Sequence, residues 1–375
     1  MPLAESISRT WERIPAFNHQ PLRQITARLA HDCSLGFTRL PCVMGGDGEK
    51  LRFNLDYQDS RVKTRVEELC GLSRLLPSRD ETTTACFELI TAALTIPLRD
   101  GDFLWQKMND NDLDALVFSV LEGCDPNRQL NLLREGCHTN QLALDGLPSR
   151  DLLISWPLER IIEYQVFAGT VWWPKRGGAW DRSFDRKRVF GIDHRGSFVK
   201  EIRRSRCNLV FFSDDNGELA WDLLLSRVLL EIFPSLRITF VTNTIPVGNN
   251  ANAVTLQYCL NHPQLEELRR QNRFRLFLEE NARSSLEPFL FSKKLSTRMA
   301  RSDLAFLKGV GLFETAQRLP LPAFYGFVIH SKDSELITGL PKCSGVFVRI
   351  PENSVAYSFR KKTLLNFLAD SRFES

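Results

Sequence analysis

The sequence predicts an α/β protein, with a mainly helical N-terminal region followed by a Rossmann-like α/β/α three-layer C-terminal domain. Two observations carry this expectation. From Asp59 to about Tyr164 apolar residues recur at helical spacing, as in RVEELCGLSRLL, ACFELITAALTI, DLDALVFSVLEG and LERIIEYQVFAG, with breaks at Pro77, Gly101 and Asp125-Pro126. After Arg206 short apolar runs (CNLVFFS, RITFVTN, FRLFLEE, LAFLKG, YGFVIHS and GVFVRIP) alternate with helical stretches such as WDLLLSRVLLEIF and HPQLEELRRQ. Strands this apolar suit burial on both faces, so the alternation implies a mainly parallel sheet between two layers of helices.

Between these parts, Trp173 to Arg206 is rich in Arg, Lys, Gly and Asp and contains KRGGAWDRSFDRKR, which suggests a joining loop or hairpin. The expected boundaries are therefore 1–172 for the helical domain, 173–206 for the junction and 207–375 for the sheet domain. Before residue 59 the clearest signal is the turn GGDG at Gly45 to Gly48.

A chain of 375 residues, 43% of them hydrophobic, has material for two ordinary cores or one large one. A net charge of +4 with dispersed basic residues disfavours nucleic acid as a partner. No apolar run reaches the ~18 residues that suggest a membrane span, and MPLAESISRTWERIP lacks the layout of a secretory signal. A cytoplasmic protein with no membrane partner is expected. The nine cysteines never form CxxC and the six histidines never form HxxxH, which argues against a zinc ribbon, a disulfide framework or a histidine-rich metal centre.

In open α/β sheets ligands bind beyond the carboxyl ends of the strands. Three such ends bear polar residues. In LVFFSDDNGELAWDLLL a strand runs into Asp214, Asp215, Asn216, Gly217 and Glu218; in ITFVTNTIPVGNNANAV another ends near Asn243 and leads to Asn249 and Asn250. In LAFLKGVGLFET a third delivers Lys308 and Gly309 to a tight turn, where lysine offers a phosphate a positive charge and glycine permits close backbone approach. Each has a plain alternative, because Asp and Asn cap helices and form turns and a strand-end lysine is commonly solvated.

The order and spacing of the three ends resemble the damage-control phosphatase family, the DUF89 metal-binding domain. Its members are metal-dependent enzymes with an N-terminal helical region and a C-terminal α/β/α domain. One branch carries a strand followed by DNAGEIxxD, then VxxxPIxNDxT, then KGxGNxE; here SDDNGELAWDL, PVGNNAN and KGVGLFE fit these patterns, the first without a gap. FAGTVWW is similar to an upstream AGNIID-like element, and the resemblance spans about Leu153 to Ile350. It implies a divalent cation, Mn2+ or Mg2+ with Co2+ or Ni2+ as further options, held by Asp214, Asp215 and Asn250. It also implies that Lys308, Gly309, Thr170 and Asn249 bind substrate, with Lys308 neutralising phosphate charge and Glu218 orienting water.

The sequence departs from that pattern at several places. Asp215 stands where the family has a ligand asparagine and Asn250 where it has a ligand aspartate, an exchange that conserves both formal charge and oxygen donors. A one-residue deletion would instead align Asp215 and Asn216 with the DN pair, at the expense of the Glu218 and Asp222 spacing. Thr170, Trp173 and Leu312 replace polar residues, and Trp172 and Trp173 suit either stacking on a substrate or packing at the junction. The implied activity is hydrolysis of a phosphorylated small molecule, such as a sugar phosphate or related metabolite, by metal-activated water. The alternative is a relative that has lost phosphatase chemistry and serves as a binding or regulatory protein, or that uses the site for other metal chemistry. A Rossmann oxidoreductase would need GxGxxG after a strand and a methyltransferase a glycine-rich cofactor loop; neither is present.

Overall fold

A computed structural model of the chain describes residues 128–168 and 189–350, apart from 205, 280–291, 317, 318, 320, 331–333, 336 and 337, and two short strands near the N-terminus. Those strands, β1 (Cys42–Met44) and β2 (Leu51–Phe53), pair antiparallel on either side of the GGDG turn signal. The helical periodicity before Arg128, the KRGGAWDRSFDRKR run and the residues Thr170, Trp172 and Trp173 lie outside the described residues.

Helices come first in the described body: α1 (Arg128–Asp145), α2 (Arg150–Ile154) and α3 (Leu158–Phe167). Strand β3 (Phe190–Asp193) and helix α4 (Arg195–Ile202) follow. Strand and helix then alternate through β4 (Cys207–Phe212), α5 (Glu218–Ile232), β5 (Leu236–Asn243), α6 (Ala253–Leu260), α7 (Glu266–Arg270) and β6 (Phe274–Glu279). The described body closes with α8 (Lys293–Ala300), β7 (Leu304–Lys308), α9 (Val310–Ala316), β8 (Ala323–Val328) and β9 (Gly345–Ile350). The seven-stranded sheet has the order β3-β9-β8-β7-β4-β5-β6. Its strands from β8 to β6 are mutually parallel, as the apolar runs predict, whereas β9 is antiparallel to β8 and parallel to β3.

Side chains of successive strand residues point to opposite faces and so build two cores. Cys207, Leu209 and Phe211 of β4 join Ile238 and Phe240 of β5 and Phe306 of β7 under the layer that contains α1, α3, α4, α5 and α6. Val210, Phe212, Val241, Ala305 and Leu307 turn the other way, onto Leu295 and Met299 of α8 and Leu312 and Phe313 of α9. Phenylalanine dominates the first core: Phe211 meets Phe306 edge-on at 4.8 Å between ring centroids, and Phe198 of α4 meets Phe324 at 5.2 Å. Helix α5 is buried from Glu218 to Leu230 because it packs on the sheet with one side and on α1 and α3 with others.

The junction expected at 173–206 contains, in its later part, an edge strand and a helix of this same body. The FGID of β3 is too short to show strand alternation in sequence. Tertiary contacts hold it in place: Arg195 makes a two-point contact with Asp193 at 2.8 and 2.7 Å, donates to the Glu159 carbonyl of α3, and stacks 4.1 Å over the Phe190 ring.

Among the described residues no helix is long and apolar enough to cross a membrane. Among them, too, Cys137, Cys207, Cys259 and Cys343 are free thiols. Burial pushes Cys207 up to about 12 and raises Cys259 as well, as suits small buried apolar residues.

Candidate functional site

The chain leaves β4 in one direction to form β5 and β6, then returns to the other side of β4 to form β7, so the carboxyl ends of β4 and β7 flank a topological switch point. A crevice opens at such a point because the two connections diverge there. Phe212 and Leu307 are register partners in the last paired turn, which brings Asp214 and the pair Lys308-Gly309 to this crevice.

Gly309 has φ +90°, and a Cβ built on it would fall 1.5 Å from Oδ2 of Asp214. The Asp214 carboxylate therefore lies directly on the Gly309 backbone, in a space that a side chain would fill. The close approach that this glycine permits is that of a carboxylate, and its own N–H donates to the Gly326 carbonyl of β8 at 3.0 Å.

The loop after β5 folds back onto the loop after β4. Asp215 and Asn250 form an isolated antiparallel bridge, the Ala251 N–H donates to the Asp214 carbonyl at 2.7 Å, and the Asn216 N–H to the Asn249 carbonyl at 2.8 Å. Asn252, in the same asparagine-rich loop, caps α6 by accepting from the Val254 and Thr255 N–H groups. The cap reading thus holds for Asn252, while Asn249 and Asn250 meet the loop after β4 through their backbone.

Asn216 is fully engaged inward. Its Nδ2 donates to the Asn249 and Asn250 carbonyls at 2.8 and 3.0 Å, and its Oδ1 accepts from Nδ2 of Asn140 on α1 at 2.9 Å. Asn140 Oδ1 in turn accepts from the Gly217 N–H at 2.7 Å. This network ties the loops after β4 and β5 to each other and to α1.

Lys308 is only 1% exposed; its Nζ pairs with Oε2 of Glu218 at 2.7 Å and donates to the Val166 carbonyl in the last turn of α3 at 2.9 Å. The lysine therefore sits behind Glu218 rather than in solvent. Asp222, one helical turn beyond Glu218, accepts from Nε2 of Gln165 at 2.6 Å.

The electrostatics of the crevice are those of crowded carboxylates. Burial holds Asp214 well above the usual carboxylate range, repulsion from Asp215 and Glu218 raises it further, and Lys308 opposes the shift. Burial likewise lifts Asp222 to about 8, against the pull of Lys308. Among the described residues no group of three or more His, Cys, Asp or Glu side chains is placed to hold a metal ion; the expected set has two carboxylates and one amide.

The structure thus brings Asp214, Asp215, Asn249, Asn250, Glu218, Lys308 and Gly309 together at the carboxyl ends of the strands of one sheet, while Thr170 lies outside the described residues. Leu312, where the family pattern has asparagine, faces the apolar core. Sequence reading passed over Gln165 and Asn140. A glutamine on the apolar side of LERIIEYQVFAG was a usable signal, but nothing in the sequence around Asn140 pointed to its partner 76 residues on.

No protein-family model matches the sequence, and no curated protein matches it. Among solved structures, a DUF89 family protein from Pyrococcus horikoshii superposes with a TM-score of 0.60 over 80% of this chain and 100% of its own, at 12% sequence identity. At that identity the likeness is one of fold: the chain is built on the same α/β architecture as a DUF89 family protein.

Proposed function

We propose that the protein is a divergent member of the damage-control phosphatase family that hydrolyses a phosphorylated small molecule with the help of a divalent cation. The observation that carries this reading is the Asp214 carboxylate seated on Gly309 at the switch point, crowded by Asp215 and Glu218 and backed by buried Lys308. These residues fit a hard cation: the donors are oxygens, and like charges forced together are relieved by a positive ion between them. Asp214, Asp215 and Asn250 would hold it, with Mn2+ or Mg2+ as the expected occupants and Co2+ or Ni2+ as further options. Bound there, the cation would polarise a phosphoryl oxygen and acidify a water molecule. Glu218 offers that water an acceptor, and Lys308 balances the charge of Glu218 and adds positive potential behind the phosphoryl group. Asn249, in the loop after β5, would contact the substrate.

A second reading, a binding or regulatory protein on the same fold, is favoured by Leu312, whose side chain supplies no polar group to the crevice. One pair of measurements separates the two. Saturating Mn2+ or Mg2+ should raise the Tm of the wild type and not that of Asp214→Ala, because only a ligand of the folded state stabilises it. A generic phosphate ester should be hydrolysed only when the cation is present. A Tm shift without hydrolysis supports the binding reading; a wild type indifferent to every one of these cations refutes the metal site.

A further inference from the structure

Behind the crevice, between α3 and α5, two buried side chains are incompletely paired. Gln165 and Asp222 are both 0% exposed and share one hydrogen bond, Nε2 to Oδ1 at 2.6 Å. The other oxygen of each, Gln165 Oε1 and Asp222 Oδ2, is buried without a hydrogen-bond partner. As a carboxylate, Asp222 would leave two acceptors stranded in the protein interior, an arrangement that folded proteins avoid. One proton on Oδ2 removes both defects, since the hydroxyl it creates donates and the amide oxygen of the same partner accepts.

We propose that Asp222 is a neutral carboxylic acid in the folded protein and that, joined to Gln165 by two hydrogen bonds, it positions Lys308. The chain of contacts is short. Gln165 precedes Val166, whose carbonyl receives the Lys308 ammonium, and Asp222 follows by one turn the Glu218 that receives the same ammonium. The acid–amide pair therefore fastens the last turn of α3 to the first turns of α5, the two elements that hold Lys308. The proton comes from solvent on folding and returns to it on unfolding.

The charged surroundings agree. Facing Asp222 are Glu218 on its own helix and Asp215 from the loop after β4, which disfavour a further anion, Lys308 from β7, which opposes them, and the uncharged Gln165 from α3. Burial is the largest influence and lifts the group to about 8. The sign follows: with a folded value raised above the unfolded one, the stability due to this group is complete below about pH 4, declines as pH rises and is gone above about pH 8.

The test compares wild type with Asp222→Asn, whose amide makes both hydrogen bonds without a titrating proton. The Tm of the variant minus that of the wild type should grow by several degrees between about pH 5 and about pH 9. Asp214, which also titrates high and is raised in part by Asp222, is removed from the comparison by repeating it in an Asp214→Asn background. In an Asp214→Asn background, infrared spectra near neutral pH should show the C=O stretch of a protonated carboxyl, absent when Asp222→Asn is added. Gln165→Leu should speed solvent exchange of the Lys308 ammonium protons, and Asp222→Asn should not. If Asp222→Asn fails to fold, Gln165→Leu in the Asp214→Asn background still decides: the carboxyl band moves if the Asp222 hydroxyl donates to that amide and stays otherwise. Parallel Tm profiles, a missing or unmoved band, or equal Lys308 exchange in both variants would overturn the proposal.

Discussion

Gly309 illustrates how a single residue sets the chemistry of a site without reacting. Its left-handed φ of +90° and the 1.5 Å that would separate a Cβ from Asp214 Oδ2 make two separate demands on the residue. Gly309→Ala should therefore destabilise the fold by about 1–3 kcal/mol through backbone strain, and more through the clash with Asp214. Removing the clashing carboxylate in Gly309→Ala/Asp214→Ala should restore only the steric part, so denaturant titration of the two variants should show the double one as the more stable. If the single variant is as stable as wild type, the carboxylate does not rest where the structure puts it. The motif KG was visible in the sequence, but its glycine was expected to approach a phosphate; that it approaches an aspartate 95 residues earlier depends on β4 and β7 being neighbours.

Among the elements, α1 matters for the two hydrogen bonds that Asn140 makes with the loop after β4. Asn140 and Asn216 share a hydrogen bond, and each also holds loop backbone: Asn140 the Gly217 N–H, Asn216 the carbonyls of Asn249 and Asn250. These buried groups lose their partners when either side chain is truncated, at about 1–3 kcal/mol each. Because the two act through one shared bond, Asn140→Ala and Asn216→Ala should be non-additive, the double variant costing less than the sum by about 0.5–3 kcal/mol in a double-mutant cycle. Strict additivity would mean that the two loops are held independently of α1. The strands β4, β5, β7, β8 and β9 were legible as apolar runs because burial on both faces leaves a continuous signal, and the edge strand β6 was legible as FRLFLEE although part of its apolar surface is exposed. Strand β3 was not, since four residues of mixed character are held by Arg195 and by pairing with β9 rather than by pattern.

At the scale of the molecule, the switch point lies beside β4 and β7, central strands of the sheet, while β3 and β6 form its edges. Leu276 and Leu278 of β6 are exposed, whereas β7 and β8 are buried along their whole length. Amide hydrogen exchange should accordingly be slowest in β4, β5 and β7 and faster in β6, with the candidate site anchored on the most protected strands. Protection of β6 equal to that of β4 would contradict this gradient. What the sequence by itself determined was the class of fold, the positions of the main strands and the polar residues at their carboxyl ends, because apolar periodicity and turn chemistry are local properties of the chain. Only the tertiary structure decided which strands are adjacent, that β9 runs against β8, that Asn216 serves the loops and that Lys308 is buried against Glu218 and Val166. Each of these depends on contacts between residues tens of positions apart, and such contacts leave no periodic trace in either partner's own segment.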